Sequence, residues 1–165
     1  MPVQATADAM VSATVAGLGG AAFFTDGSCA WFQFRITLAE AQQMWPWVGP
    51  DMQKHIAVCE LLAQFVLTFV ISSHLPLRRP PIRCHQGCDN SAADAASAKG
   101  LTMTSGMSHV IAQYFLFMRR FHIYADISHI PGHLNVLADA LSRFEDPPVH
   151  LDAATQVQAD WRDLI

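Results

Sequence analysis

One stretch narrows the choice of fold more than any other. From His55 to Leu67 the chain reads His-Ile-Ala-Val-Cys-Glu-Leu-Leu-Ala-Gln-Phe-Val-Leu, and apolar residues continue towards Ser72. A helix that is apolar nearly all round has to be buried on more than one side. The most apolar part, Leu61 to Ser72, is interrupted by Gln64 and falls short of the ~20 residues of a membrane span. A central, buried helix is therefore expected. Glu60 stands inside it. A carboxylate among Val, Cys, Leu and Phe is costly to desolvate unless it is paired, metal-bound or at the helix edge.

The flanking segments supply the layers such a helix needs. Thr25-Asp26-Gly27-Ser28 lies between two aromatic-rich runs, a hairpin signal. A meander follows from it: one strand ending near Asp8, a second over Gly19–Phe24 and a third over Ala30–Ile36. The glycines of Gly17-Leu18-Gly19-Gly20 weaken the second strand but permit bulges or close backbone approach. Leu38 to Asp51 reads as a connector. Pro76, Pro80 and Pro81 end the long helix. Ile82 to Cys88 reads as a strand presenting Asp89 at its C-terminal end, and Ser91 to Lys99 as a helix stopped by Gly100. Ser105 or Ser108 opens another helix, and His122 to Ile130 alternates as a strand. Pro131-Gly132 then turns the chain into a last helix, with Asn135 as its N-cap and Asp139 in or just beyond its first turn. The order is β-β-β-α-β-α-α-β-α, an α/β domain with a mixed sheet and helices packed on it. It is expected over residues 1–143, with a mobile C-terminal tail over 144–165 after Arg143, where Pro147-Pro148 and polar residues follow.

Composition agrees with one compact domain. Of the 165 residues, 52% are hydrophobic and 15% charged, against a usual charged share of about 25%. A net charge of −4 leaves no basic footprint for nucleic acid, so polyanion binding has to come from local patches or metal ions. The four cysteines, Cys29, Cys59, Cys84 and Cys88, are scattered through apparent structural elements and read as reduced, intracellular thiols. Cys84 and Cys88 lack the second pair that a zinc site needs. There is no membrane partner to infer. Whether Trp31, Trp45 and Trp47 pack or stack on bases is open, with packing favoured for Trp31. Arg78, Arg79 and Arg83 form the one basic cluster, either a phosphate contact or a solvated loop.

Four acids stand at element ends or in apolar settings: Asp8, Glu60, Asp89 and Asp139. Each alone reads as an ordinary capping or solvated acid, and Asp139 suits a helix N-terminus on dipole grounds. Gathered at strand ends, however, they would repel one another. Divalent cations relieve that repulsion, and all-oxygen sites select Mg²⁺ or Mn²⁺.

The motifs Ala7-Asp8-Ala9 with Gly17-Leu18-Gly19-Gly20, His55-Ile56-Ala57-Val58-Cys59-Glu60-Leu61-Leu62-Ala63, Cys88-Asp89-Asn90-Ser91, and His129-Ile130-Pro131-Gly132 with Asn135, Ala138-Asp139 and Leu141-Ser142-Arg143 together resemble a family. It is the ribonuclease H domain of retrotransposon reverse transcriptases, of the DIRS or Ty3/gypsy kind. The resemblance spans roughly residues 3–143, and the last motif is its most specific part. It implies an RNase H-like fold with a five-stranded sheet. It also implies cleavage of the RNA strand of an RNA–DNA hybrid, leaving a 3′-hydroxyl and a 5′-phosphate. Asp8, Glu60, Asp89 and Asp139 are implied as ligands of two Mg²⁺ or Mn²⁺ ions. His129 is implied as a proton-transfer or product-release helper, with His133 as the second choice and a structural turn histidine as the alternative. Asn90 and Ser91 are expected to contact nucleic acid, or Asn90 to cap the following helix. The chain looks like a piece of a longer polyprotein with a reverse transcriptase on its N-terminal side. The rival expectation is a catalytically inactive RNase H-like module, a remnant or a structural domain of a larger polymerase.

Overall fold

The computed structural model describes residues 2–76, 78–89 and 105–164. Five strands form one sheet: β1 (Pro2–Val11), β2 (Val15–Phe24), β3 (Cys29–Thr37), β4 (Ile82–Cys88) and β5 (Ile123–His129). Their order is β3-β2-β1-β4-β5. The meander β1–β2–β3 is antiparallel, while β4 joins β1, and β5 joins β4, in parallel. The helices are α1 (Leu38–Met44), α2 (Ile56–His74), α3 (Ser105–Phe121), α4 (Val136–Arg143) and a final turn, α5 (Trp161–Leu164).

The central helix is buried as its composition demands. Thirteen residues of α2 lie inside the protein, Glu60, Gln64 and Thr68 among them. The apolar helical run, Met52–His74, proves long enough to cross a membrane by length and composition. Here it is the main core element instead, packed on Ala5, Ala7 and Ala9 of β1, on β2 and β3, and against α3. Phe65 of α2 stacks on Tyr114 of α3 with ring centroids 4.8 Å apart. Cys59, Cys84 and Cys88 are buried within this core. Trp45, Trp47 and Trp161 pack face to face or tilted on one another, so the first two are packing residues, as is the buried Trp31.

Several sequence expectations are corrected. The first strand does not end near Asp8 but continues to Val11, because Asp8 is itself paired with Gly19 in the β1–β2 ladder. The expected connector from Leu38 contains α1, whose start is held by a capping box between Thr37 and Glu40. Asn135 takes the N-cap position of α4 without a side-chain cap bond. Among the described residues its buried Nδ2 and Oδ1 have no hydrogen-bond partner. The segment expected as a mobile tail folds back across edge strand β3. Trp31 Nε1 donates to Asp152 O at 2.9 Å, Val157 N to Trp31 O at 2.8 Å, and Trp161 seats its buried ring 4.9 Å from Trp45. That cover protects an otherwise open sheet edge. The helix expected over Ser91 to Lys99 lies outside the described residues.

Candidate metal centre

The glycines of β2 decide where the last helix sits. A Cβ on Gly17 would stand 2.0 Å from Ser142 O, and one on Gly19 would stand 2.5 Å from Leu141 Cβ and Ser142 N. The backbone of α4 therefore rests directly on β2, an approach that only glycine permits. Gly19 is the register partner of Asp8. The close approach thus brings α4, and with it Asp139, over the middle of β1.

On the other side of β1 the sheet opens. β1 and β2 share nine register pairs, whereas among the described residues β1 and β4 are registered at one, Thr6 with Gly87. Asp8 follows Thr6 by two residues and Asp89 follows Gly87 by two, so both acids stand where the strands part. Glu60 reaches the same place from α2. Its Oε2 accepts a hydrogen bond from Ala9 N at 3.2 Å, while Asp8 Oδ1 accepts from the same N–H at 2.9 Å. Carboxylate oxygens of Asp8, Glu60 and Asp89 all lie within 4.8 Å of one another.

The electrostatics are those of an uncompensated anionic cluster. Asp8 and Glu60 are 3% and 4% exposed. Among the described residues no Lys, Arg or His forms an ion pair with Asp8, Glu60 or Asp89. Burial is the largest influence on both inner acids. It raises Asp8 to about 7, assisted by the charge of Asp89 and the approach of Asp139 and opposed by the hydrogen bond with Glu60. Glu60 rises to about 10, through burial first and then the charge and hydrogen bond of Asp8. Without a cation, burial and mutual repulsion favour a protonated form of this pair. Three hard oxygen donors, two of them buried and none neutralised by a basic side chain, fit a Mg²⁺ or Mn²⁺ ion.

The remaining expected residues are distributed around this cluster. Asp139 comes close enough to influence Asp8 but is not one of the three acids grouped within 4.8 Å. Its Oδ1 accepts from Arg143 Nε at 3.0 Å, one turn later on α4. His129 ends β5 opposite Cys88, the residue before Asp89. His133 lies in the exposed 3-10 turn Gly132–Leu134. Asn90 and Ser91 lie outside the described residues. Two arginines of the basic cluster have partners within the protein. Arg79 donates to the carbonyls of Phe121 and His122, both at 3.0 Å, and Arg83 pairs with Asp126 at 3.3 Å. The sequence reading missed Ala9 as the shared donor; no side-chain signal marks a backbone N–H. It also missed Arg143 as the partner of Asp139, although the spacing of four on a helix is a readable one.

No protein-family model matches the sequence, and neither does any curated protein. Solved structures do match, three RNase H proteins among them. RNase H1 from the halophilic archaeon Halobacterium salinarum superposes with a TM-score of 0.60 at 14% identity, covering 85% of this chain and 93% of that one. LC11-RNase H1, in a complex with an RNA/DNA hybrid, gives 0.64 at 11% identity over 86% and 94%. The N-terminal RNase H domain of rv2228c from Mycobacterium tuberculosis gives 0.56 at 12% identity over 86% and 88%. At these identities the likeness defines the class by architecture: the chain has an RNase H-like fold.

Proposed function

We propose that this chain is a divalent-metal-dependent endoribonuclease that hydrolyses the RNA strand of RNA–DNA hybrids. One observation carries the reading. Asp8, Glu60 and Asp89 come from three separate elements and meet where β1 and β4 part, without a basic partner among the described residues. The fold is shared with RNase H1 structures, one of them bound to a hybrid. Divalent cations, two in this proposal, would supply an activated water and stabilise the leaving oxygen of the phosphodiester. The chain's own part is to hold the three carboxylates at fixed spacing on a rigid sheet. Asp139 stands beside them as a fourth acid on α4, and Arg143 steadies its carboxylate. His129, at the exposed end of β5, moves protons to and from the product side. The motifs of the resemblance support a retroelement setting, with a reverse transcriptase domain on the N-terminal side of the parent polyprotein supplying further grip on the hybrid. Asn90 and Ser91 are proposed to contact the nucleic acid backbone next to Asp89.

The test is cleavage of a labelled RNA–DNA hybrid with Mg²⁺ or Mn²⁺, beside RNA–RNA and DNA–DNA duplexes. Wild type should cut the RNA of the hybrid and leave 3′-hydroxyl ends. Asp89→Asn should lower the rate by about 10³-fold or more, as removal of a group stabilising the transition state does. If wild type spares the hybrid, or Asp89→Asn cuts it equally well, the chain is an inactive module of the same fold.

A further inference from the structure

Where β1 and β4 run side by side, side chains of α2 bond backbone groups of both strands. Glu60 takes the N–H of Ala9. One turn further along the helix, the fully buried Gln64 takes the carbonyls. Its Nε2 donates to Gly87 O at 2.9 Å and to Ala7 O at 3.4 Å. Two amide protons serve two carbonyls. Gln64 Oε1 accepts from Gln86 Nε2 at 3.0 Å, and that same nitrogen donates to the Gln64 backbone oxygen at 3.1 Å. Gln86 Oε1 accepts from Thr68 Oγ1 at 2.7 Å, and Thr68 shares a short hydrogen bond with Tyr114. The Gln64 amide is thus held at both ends in a dry network, which fixes its rotamer.

Its two carbonyl contacts stand next to the acids. Ala7 precedes Asp8 directly, Gly87 lies two residues before Asp89, and Gln64 sits one turn from Glu60 on the same helix face. We propose that Gln64 is a positioning residue of the metal centre, its amide setting the gap between β1 and β4 and hence the spacing of Asp8, Glu60 and Asp89. This rests on the reading of those three acids as metal ligands. A residue that merely fills the core would affect stability alone. A residue that spans the gap also sets how the three carboxylates meet one ion.

Two variants separate these roles. Gln64→Met keeps the side-chain length and removes the amide. Thr68→Val removes a hydroxyl from the same network while touching neither the Ala7 nor the Gly87 carbonyl. Each is measured for thermal midpoint, for Mn²⁺ affinity by calorimetry, and for exchange of the Ala9 amide proton in metal-free protein. In Gln64→Met, Mn²⁺ affinity should fall about 10- to 100-fold, the usual effect of losing a residue that orients metal ligands. The Ala9 proton should exchange faster than in Thr68→Val of equal stability. Thr68→Val should bind Mn²⁺ like wild type. Matching affinities and matching Ala9 exchange in the two variants would overturn the proposal. If Gln64→Met does not fold, Gln64→Ala takes its place with the same outcomes, since water entering the vacated space can serve the carbonyls. A wild type that binds no Mn²⁺ would sink the metal reading, while the Ala9 exchange comparison would still decide the role of Gln64.

Discussion

The two edges of β1 are built in opposite ways. Towards β2 the ladder is long, and every element is closed by backbone: nine register pairs, with glycines that let α4 lie on the strand itself. Towards β4 one pair, Thr6 with Gly87, is registered among the described residues. Beyond it the backbone is served by side chains of α2, Glu60 to Ala9 N and Gln64 to Ala7 O. The closed edge gives rigidity. The open edge gives a place where carboxylates meet without a ladder between them. A parallel pair that continued past Thr6 would satisfy its own N–H and C=O groups and leave Glu60 no donor to approach.

The closed edge breaks hardest. Gly19→Val would drive a branched side chain into the backbone of α4, where a lone Cβ already meets Leu141 and Ser142 at 2.5 Å. A loss of about 3 kcal/mol, the upper part of the usual range for overpacking, is expected in denaturant unfolding, together with weaker hybrid cleavage as Asp139 is displaced. An unchanged midpoint would show that α4 is not seated on β2.

The open edge should respond in the other direction. The ordinary value of Glu60 is 4.5, and in the folded chain it is raised to about 10. Asp8 is raised from 3.8 to about 7. Between those limits the unfolded chain has released protons that the folded one still holds, so metal-free stability is greatest at low pH and is lost as pH rises through the folded values. Glu60→Gln keeps an acceptor for Ala9 and removes the titration. It should stabilise metal-free protein by about 2 kcal/mol at neutral pH, flatten the pH dependence of the thermal midpoint, and abolish cleavage. A variant less stable than wild type would mean that the Glu60 charge is already compensated.

The smallest effect expected is at the rim. His129→Ala should slow turnover about tenfold, equal to about 1.4 kcal/mol on the barrier, with Mn²⁺ affinity and thermal midpoint as in wild type. If the substitution unfolds the domain instead, the corner it heads is structural and the histidine has no part in proton transfer.

How much of this was legible in the sequence depends on which side of β1 one reads. The five strands, α2, α3 and α4 could be read in order because turn residues and apolar runs punctuate the chain clearly, from Asp26-Gly27 to Pro131-Gly132. The glycines of β2 announced a close backbone approach, and α4 makes it. The acids stood out singly as charges in apolar surroundings. The end of β1 was misread because its alanines carry little strand preference of their own; pairing with β2, not propensity, extends it to Val11. Gln64 was visible only as an interruption in an apolar helix. Its partners are two backbone carbonyls, 57 and 23 residues away, and carbonyls leave no mark in a sequence. In the C-terminal segment prolines and polar residues mask the anchors, which are Asp152 and Val157 on Trp31 and Trp161 on Trp45.

The central claim is that a divalent cation held by Asp8, Glu60 and Asp89 displaces the proton that Asp8 and Glu60 otherwise retain. Calorimetric titration with Mn²⁺ near pH 7, repeated in two buffers of different ionisation enthalpy, tests it most directly. The account predicts saturable binding to wild type with net proton release, and binding lost or strongly weakened in Asp89→Asn. Binding without proton release, or equal binding by Asp89→Asn, would contradict it.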